Sequence, residues 1–126
     1  VGIQIRPRAE FRHGQGTLIA EGQNPAFFIS NRARIKASYI SKKISIGIAG
    51  QSVGVWGGQA QIQTAGSFML NEAWANLSLN EFWSITVGRQ AFIYDSERIL
   101  GGLDWNVSGR FHDAVLTKFE KNKCKK

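Results

Sequence analysis

Apolar and polar residues alternate along this chain, and this alternation restricts its possible folds more than any other feature. In residues 3–12, IQIRPRAEFR, the odd positions are apolar and the even positions are polar or charged. Successive side chains of a β-strand point to opposite sides of the sheet, so the pattern predicts a strand with one apolar face and one polar face. Three arginines lie on the polar side of this strand.

The same alternation recurs in five later stretches and predicts an all-β chain. The predicted strands after the first cover residues 27–40, 44–56, 68–79, 83–92 and 105–120. No stretch shows a helical pattern, and consecutive strands joined by turns predict an antiparallel up-and-down meander of about six strands. A slip of one residue would exchange the two faces of a strand, and the face assignments of the third and fifth strands are the most exposed to such a slip.

The predicted connections alternate in length. Long connections at residues 13–26, 57–67 and 94–104 take turns with short ones at 41–43 and 80–82. An up-and-down sheet with this pattern has long loops at one end and tight turns at the other. Outer-membrane β-barrels have this asymmetry, whereas soluble β-sandwiches do not show it systematically.

Aromatic residues lie mostly at or near the ends of the predicted strands. They are Phe27, Phe28, Tyr39, Trp56, Phe68, Trp83, Phe92, Tyr94 and Trp105. Aromatic residues are enriched at the two membrane interfaces of a transmembrane barrel. The alternative is that they close the ends of a soluble core. Together with the loop lengths, their placement favours a membrane protein.

Charge leaves several partner classes open. The chain has 16 Lys and Arg against 9 Asp and Glu, a net charge of +7, which suits nucleic acid, anionic lipid or an anionic solute. The only cysteine, Cys124, lies in a lysine-rich tail, so no disulfide framework or cysteine metal site is predicted. No run of 18 apolar residues is present, which argues against a membrane-spanning helix but not against spanning strands.

The arginines of the first two predicted strands have a natural place in a barrel. The lipid-facing side of a transmembrane strand must be apolar, and the side facing the lumen can be polar. We therefore predict that six cations, with only Glu10 among them, form a positive wall that attracts anions: Arg6, Arg8, Arg12, Arg32, Arg34 and Lys36.

Several motifs resemble a known family. The segments IRPRAEFR, FFISNRARIKASY, VWGG and NEAWANLSL are similar to the N-terminal part of porin-like outer-membrane proteins of the alginate-export family, particularly its Bacteroidetes-type members. The most specific segment is VGRQAFIYDSERILGGLDWNVSGRFHDAVLTKFE, which begins at Val87 and includes Arg89, Arg98 and Arg110. The similar segments extend almost to Glu120.

The resemblance implies a large antiparallel barrel in the outer membrane of a Gram-negative bacterium. Its electropositive lumen would pass anionic small solutes or acidic polysaccharide passively, without a cofactor, and the partner of its outer face would be outer-membrane lipid. Arginines that match the family pattern are Arg6, Arg8, Arg32, Arg34, Arg89, Arg98 and Arg110. Because about eight strands is the lower limit for a membrane barrel, we expect residues 1–120 to be part of a larger barrel and residues 121–126 to be a basic tail.

Two other classes of protein are alternatives to the channel. A soluble all-β module could bind acidic glycan or nucleic acid on a basic face, but the aromatics are not interleaved with the arginines as base stacking requires. An enzyme is not predicted, because His112 and Asp113 are strand neighbours on opposite faces and no triad is complete. Asp95, Glu97, Arg98 and Asp104 could form a calcium site, although a salt-bridged loop folding partly into the lumen is the preferred interpretation.

Overall fold

Six β-strands make up the regular structure of the residues that the structure describes. A computed structural model describes residues 1–14, 22, 24–58, 68–94 and 101–121. The strands are β1 (Gly2–Arg12), β2 (Ala26–Ile40), β3 (Ile44–Val55), β4 (Phe68–Ser78), β5 (Trp83–Gln90) and β6 (His112–Phe119). In the described part of the chain, no helix is long and apolar enough to cross a membrane.

The strands form one antiparallel sheet in the order in which they occur in the sequence. Each strand pairs with the next, from β1 to β6, so the predicted all-β meander is confirmed. β1 and β6 are the two edges, and the described sheet is not closed into a barrel. Pro7 lies in the edge strand β1, where the missing backbone donor is tolerated.

The register separates polar and apolar residues onto opposite faces. Arg6 pairs with Arg32 on one side, here called the polar face, and Ile5 pairs with Ala33 on the other, the apolar face. Ile44, Ile46 and Ile48 of β3 belong to the apolar face, as the sequence predicted. The polar residues found at apolar-face positions of the register are Asn31, Ser52, Arg89, Asp113 and Thr117.

Burial in this sheet is inverted relative to a water-soluble domain. Ala49 is the only buried hydrophobic residue in the part of the chain that the structure describes. The largest fully buried side chains are instead Arg32, Gln51 and Asn71. The large side chains of the apolar face are exposed: Ile3, Ile5, Phe11, Phe27, Ile35, Tyr39, Ile44, Ile46, Ile48, Phe68, Leu70, Leu77, Trp83, Val87, Val115 and Phe119.

The two short connections are confirmed as tight turns. Between β2 and β3, the backbone N–H of Ser41 donates to the carbonyl of Ile44 at 2.8 Å. Between β4 and β5, the side-chain oxygen of Asn80 accepts from the backbone N–H of both Phe82 and Trp83, each at 2.8 Å. Asparagine favours such turns because its side chain substitutes for a backbone acceptor.

Two local irregularities modify the alternation. The register between β3 and β4 shifts between Ala49 and Gly50, which leaves Asn71 as an extra residue without a cross-strand partner. In β5, Gly88 has a φ of 118°, and a Cβ atom there would lie 2.2 Å from the carbonyl oxygen of Ala73. Only glycine fits this position, because the strand approaches its neighbour too closely for a side chain.

The last strand is shorter than predicted. The sequence pattern placed it at residues 105–120, but β6 begins at His112. Residues 103–106 form a turn, in which the N–H of Asn106 donates to the carbonyl of Leu103 at 2.9 Å. Gly109 has a φ of 78°, which is outside the range of a β-strand. Residues 105–111 are therefore irregular. The prediction that Trp105, Val107 and Arg110 lie in the last strand is wrong.

Candidate functional site

The arginines of β1 and β2 lie side by side on the polar face. Arg6 is directly opposite Arg32 in the sheet, and Arg8 is opposite Ser30. Arg34 is opposite Gln51 of β3. Like charges in direct cross-strand positions repel one another, so this arrangement needs acceptors and carboxylates nearby to be stable.

Backbone carbonyls of the connection before β6 accept hydrogen bonds from the arginines of β1. We call residues 101–111 the inner loop, because they lie over the polar face. Arg6 donates from Nη1 to the carbonyl of Asp104 at 2.6 Å and from Nη2 to that of Asn106 at 2.9 Å. Arg8 donates from Nη1 to the carbonyl of Trp105 at 2.8 Å.

One carboxylate of the inner loop sits among three arginines. Asp104 Oδ1 is 2.9 Å from Nη1 of Arg32 and 3.6 Å from Nη1 of Arg34, while its Oδ2 is 3.7 Å from Nη1 of Arg6. The Arg32 side chain is fully buried, whereas the Asp104 side chain is 65% exposed. Asp104 thus neutralises a buried charge from a position that water can reach.

Two glutamines provide further acceptors for the buried arginines. Gln4 Oε1 accepts from Nη2 of Arg32 at 2.8 Å. Gln51 Oε1 accepts from Nε and Nη2 of Arg34 at 3.0 and 2.7 Å, and Gln51 Nε2 donates to the carbonyl of Ser108 at 2.7 Å. Sequence reasoning missed both glutamines as site residues. The signal available was their place on the polar side of the alternation.

The remaining cations of the polar face are also paired. Glu10 Oε1 is 2.7 Å from Nη2 of Arg8, and its Oε2 accepts from Nε of Arg12 at 3.0 Å. Lys36 Nζ lies 3.2 Å from Glu72 Oε1. Three carboxylates, Glu10, Glu72 and Asp104, therefore face the six predicted wall cations, and the net charge of this set is +3.

The other three predicted site arginines are not part of this cluster. Arg89 pairs in the register with Ala73 and Asp113, at an apolar-face position, and its Nη1 is 2.9 Å from Asp113 Oδ2. Arg110 is an exposed residue of the inner loop. Arg98 lies outside the described residues. The structure thus brings together the arginines of β1 and β2 and separates Arg89 from them.

The residues considered for catalysis and metal binding have other neighbours. His112 stacks on Phe92 with ring centroids 5.1 Å apart, while Asp113 is across the sheet from Arg89. No group of three potential metal ligands occurs in the described ranges. Asp95 and Glu97 lie outside these ranges, and Asp104 is in ion pairs with arginines as the salt-bridged-loop interpretation proposed.

The inner loop is expected to loosen in acid and not near neutral pH. Burial alone would raise the pKa of Asp104, but the hydrogen bond from Arg32 and the charges of Arg32, Arg34 and Arg6 outweigh it and lower that pKa. Its stabilisation is therefore present above the unfolded-state pKa of about 3.9 and is lost as the pH falls through the lower folded-state value. Hydrogen exchange of the Asn106 amide, corrected for intrinsic rates, should stay constant from about pH 8 to pH 5 and rise below about pH 4.

Asp104→Asn is the control for this pH dependence, since its amide does not titrate. That variant should show weaker protection at neutral pH and no acid step. A loss of protection in the wild-type protein between about pH 8 and pH 5 would contradict the assignment to Asp104.

Comparison with protein-family models, curated proteins and solved structures finds no match to this chain.

Proposed function

We propose that this chain is part of a porin-like channel of a bacterial outer membrane, with a lumen that favours anionic solutes. The observation that carries the proposal is the inverted burial of the sheet. Charged and amide side chains are enclosed on one face, while large hydrophobic side chains are exposed on the other. In lipid, exposure of an apolar face is favourable, and the polar face then borders a wet interior.

The length of the apolar band supports a membrane environment. Phe27 and Tyr39 lie on the apolar face near opposite ends of β2, 12 positions apart. This separation corresponds to about 40 Å along a strand and, at a tilt of about 40°, to about 30 Å along the membrane normal. A bilayer core has about this thickness.

Aromatic residues border both ends of this band. Phe11, directly opposite Phe27, lies at the loop end. At the turn end, the rings of Trp83 and Phe119 have centroids 4.9 Å apart, and Phe82 and Phe119 are 6.5 Å apart. Two aromatic clusters separated by aliphatic side chains are typical of the interfacial girdles of transmembrane barrels.

The six wall cations divide into two groups with different roles. Arg6, Arg32 and Arg34 contact Asp104 and hold the inner loop, and the last two are buried. The side chains of Arg8, Arg12 and Lys36 are 40%, 37% and 52% exposed and are the cations of the wall that a solute can approach. The surplus of positive charge raises the local anion concentration, which is the physical basis of the proposed selectivity.

Ion selectivity in a planar bilayer tests the proposal. The channel that contains this chain should carry chloride in preference to potassium. Arg12→Glu with Lys36→Glu should lower the ratio of anion to cation permeability severalfold, since the net charge of the wall cations and their three carboxylates then changes from positive to negative. Lys42→Glu with Lys43→Glu makes the same charge change in the short turn between β2 and β3 and should have a much smaller effect. Cation preference in the wild-type channel would contradict the proposal.

A soluble all-β module that binds acidic glycan or nucleic acid is the alternative. It would share the basic face but would need a second layer over the apolar face, because a large exposed apolar surface promotes aggregation in water. A chain that stays monomeric and folded in plain buffer would favour this alternative. A chain that acquires β-structure only in detergent or lipid would favour the channel.

A further inference from the structure

The indole of Trp74 lies against the sheet on the polar face. Trp74 is directly opposite Gly47 in the β3–β4 register. A Cβ atom at position 47 would lie 2.5 Å from Cε2 and 2.6 Å from Cζ2 of the indole, so the ring occupies the space above the glycine. The absence of a side chain at Gly47 is what allows this close approach.

Neighbouring charged groups fix the orientation of the ring. Trp74 Nε1 donates to Glu72 Oε2 at 3.3 Å. The other carboxylate oxygen, Glu72 Oε1, accepts from Lys36 Nζ at 3.2 Å. With one side against Gly47 and the N–H held by Glu72, the indole is a preorganised flat apolar surface on the polar face.

An open concavity of about 640 Å³ lies beside this surface. Trp74 lines it together with Ser38, Ser45, Asn76 and Thr86, and among the described residues that line it Glu72 is the only charged one. Asn76 Nδ2 donates to Thr86 Oγ1 at 2.7 Å, which leaves the amide oxygen of Asn76 and the hydroxyl proton of Thr86 for further hydrogen bonds. The volume is within the usual range of small-molecule sites, about 300–1,000 Å³.

We propose that this concavity binds a neutral sugar ring, which stacks on Trp74. A pyranose has a face of C–H groups that packs on an aromatic ring and a rim of hydroxyls that both donate and accept hydrogen bonds. The indole supplies the first contact, and serine, threonine and asparagine side chains supply the second. Glu72 lines the concavity and its partner Lys36 does not, so a sugar acid would meet a carboxylate and no cation there. The site therefore selects against the anions that the arginines attract.

This inference deepens the proposed function, on which it rests for a water-filled interior, by assigning a solute class to a second region of the polar face. The two regions are chemically different. Asp104 of the inner loop forms the charged region with Arg6 and Arg32 of the sheet. The concavity is lined mainly by uncharged groups.

Binding of methyl β-glucoside by the full chain in detergent tests the proposal, with glucuronate as the anionic probe and ligand-observed NMR as the readout. We expect saturable binding of the glucoside with a Kd of roughly 1–10 mM and binding of glucuronate at least severalfold weaker. Trp74→Ala should weaken glucoside binding about tenfold or more, because the stacking surface is lost.

Gly47→Ala is the second variant, since it keeps the indole but forces it to move, and it should also weaken binding about tenfold. Trp83→Phe, on the apolar face, is the matched control and should bind the glucoside like the wild-type protein. Far-UV circular dichroism in the same detergent identifies variants that fail to fold, and the folded variants decide the result. No saturation with the wild-type protein, or unchanged affinity in folded Trp74→Ala or Gly47→Ala, would overturn the inference.

The result is separable from the selectivity experiment. Glucoside binding that depends on Trp74, in a channel without anion preference, would support the sugar site and contradict the anion-selective lumen. Anion preference without glucoside binding would contradict the sugar site alone.

Discussion

Ile48→Arg is expected to destabilise the protein in a lipid bilayer by about 1–2 kcal/mol. Ile48 lies on the apolar face of β3, opposite Ala37 and Ala73, and its side chain is exposed. If this face contacts lipid, Ile48→Arg places a guanidinium inside the hydrocarbon layer, between its midplane and the end marked by Tyr39, where it loses part of its hydration. The measurement is the free energy of unfolding by guanidinium chloride with the protein in lipid vesicles.

Ser45→Arg is the matched control on the same strand. Ser45 lies on the polar face and lines the open concavity, so an arginine there has room and access to water. We expect its effect to stay within about 0.5 kcal/mol. Equal costs for Ile48→Arg and Ser45→Arg would mean that the apolar face does not contact lipid, and the channel proposal would then lose its main support.

Removal of the Asp104 carboxylate should have an effect of similar size. Asp104→Ala leaves the fully buried Arg32 with Gln4 as its remaining side-chain acceptor. Breaking a buried ion pair costs about 3–5 kcal/mol, but the carboxylate is 65% exposed and water can take its place. We therefore expect a loss of about 1–2 kcal/mol in the free energy of unfolding and faster hydrogen exchange throughout the inner loop.

A double-mutant cycle with Arg32→Met separates this interaction from general damage. Methionine fills much of the arginine volume without a charge, so the buried group no longer needs Asp104. The double variant should be more stable than the sum of the two single effects predicts, by about 1 kcal/mol. Additive effects would show that Asp104 does not stabilise the loop through Arg32.

Sequence reasoning predicted the sheet well because apolar and polar residues alternate along most of each strand. Period-two alternation identified five of the six strands to within a few residues, including the long β2 (Ala26–Ile40) and the turn before Ile44. The alternation also placed Arg6, Arg8, Arg32 and Arg34 on one face, since a regular strand leaves each side chain only one of two sides. These are properties of local geometry, which a sequence determines directly.

The parts that were not predicted depend on contacts between distant residues or on local irregularity. The start of β6 was placed too early because WNVSGRF alternates like a strand, but carbonyls in this segment accept from Arg6 and Arg8, nearly 100 positions away. Asp104 pairs with three arginines for the same reason, because the loop that carries it lies over the polar face. Asn71 is an extra residue in the β3–β4 ladder, which the sequence alone does not indicate.

The inner loop also has a consequence for the order of folding. Every strand pairs with its sequence neighbour, so the hairpins can form one after another with little loss of chain entropy. The bonds from Arg6 to the inner loop instead join residues 98 and 100 positions apart. These bonds require β1 and β2 to be paired first. Arg6 and Arg32, which contact the inner loop, lie side by side only in the assembled sheet. Docking of the inner loop is therefore expected to be a late kinetic step, observable as a separate slow phase after β-structure has formed.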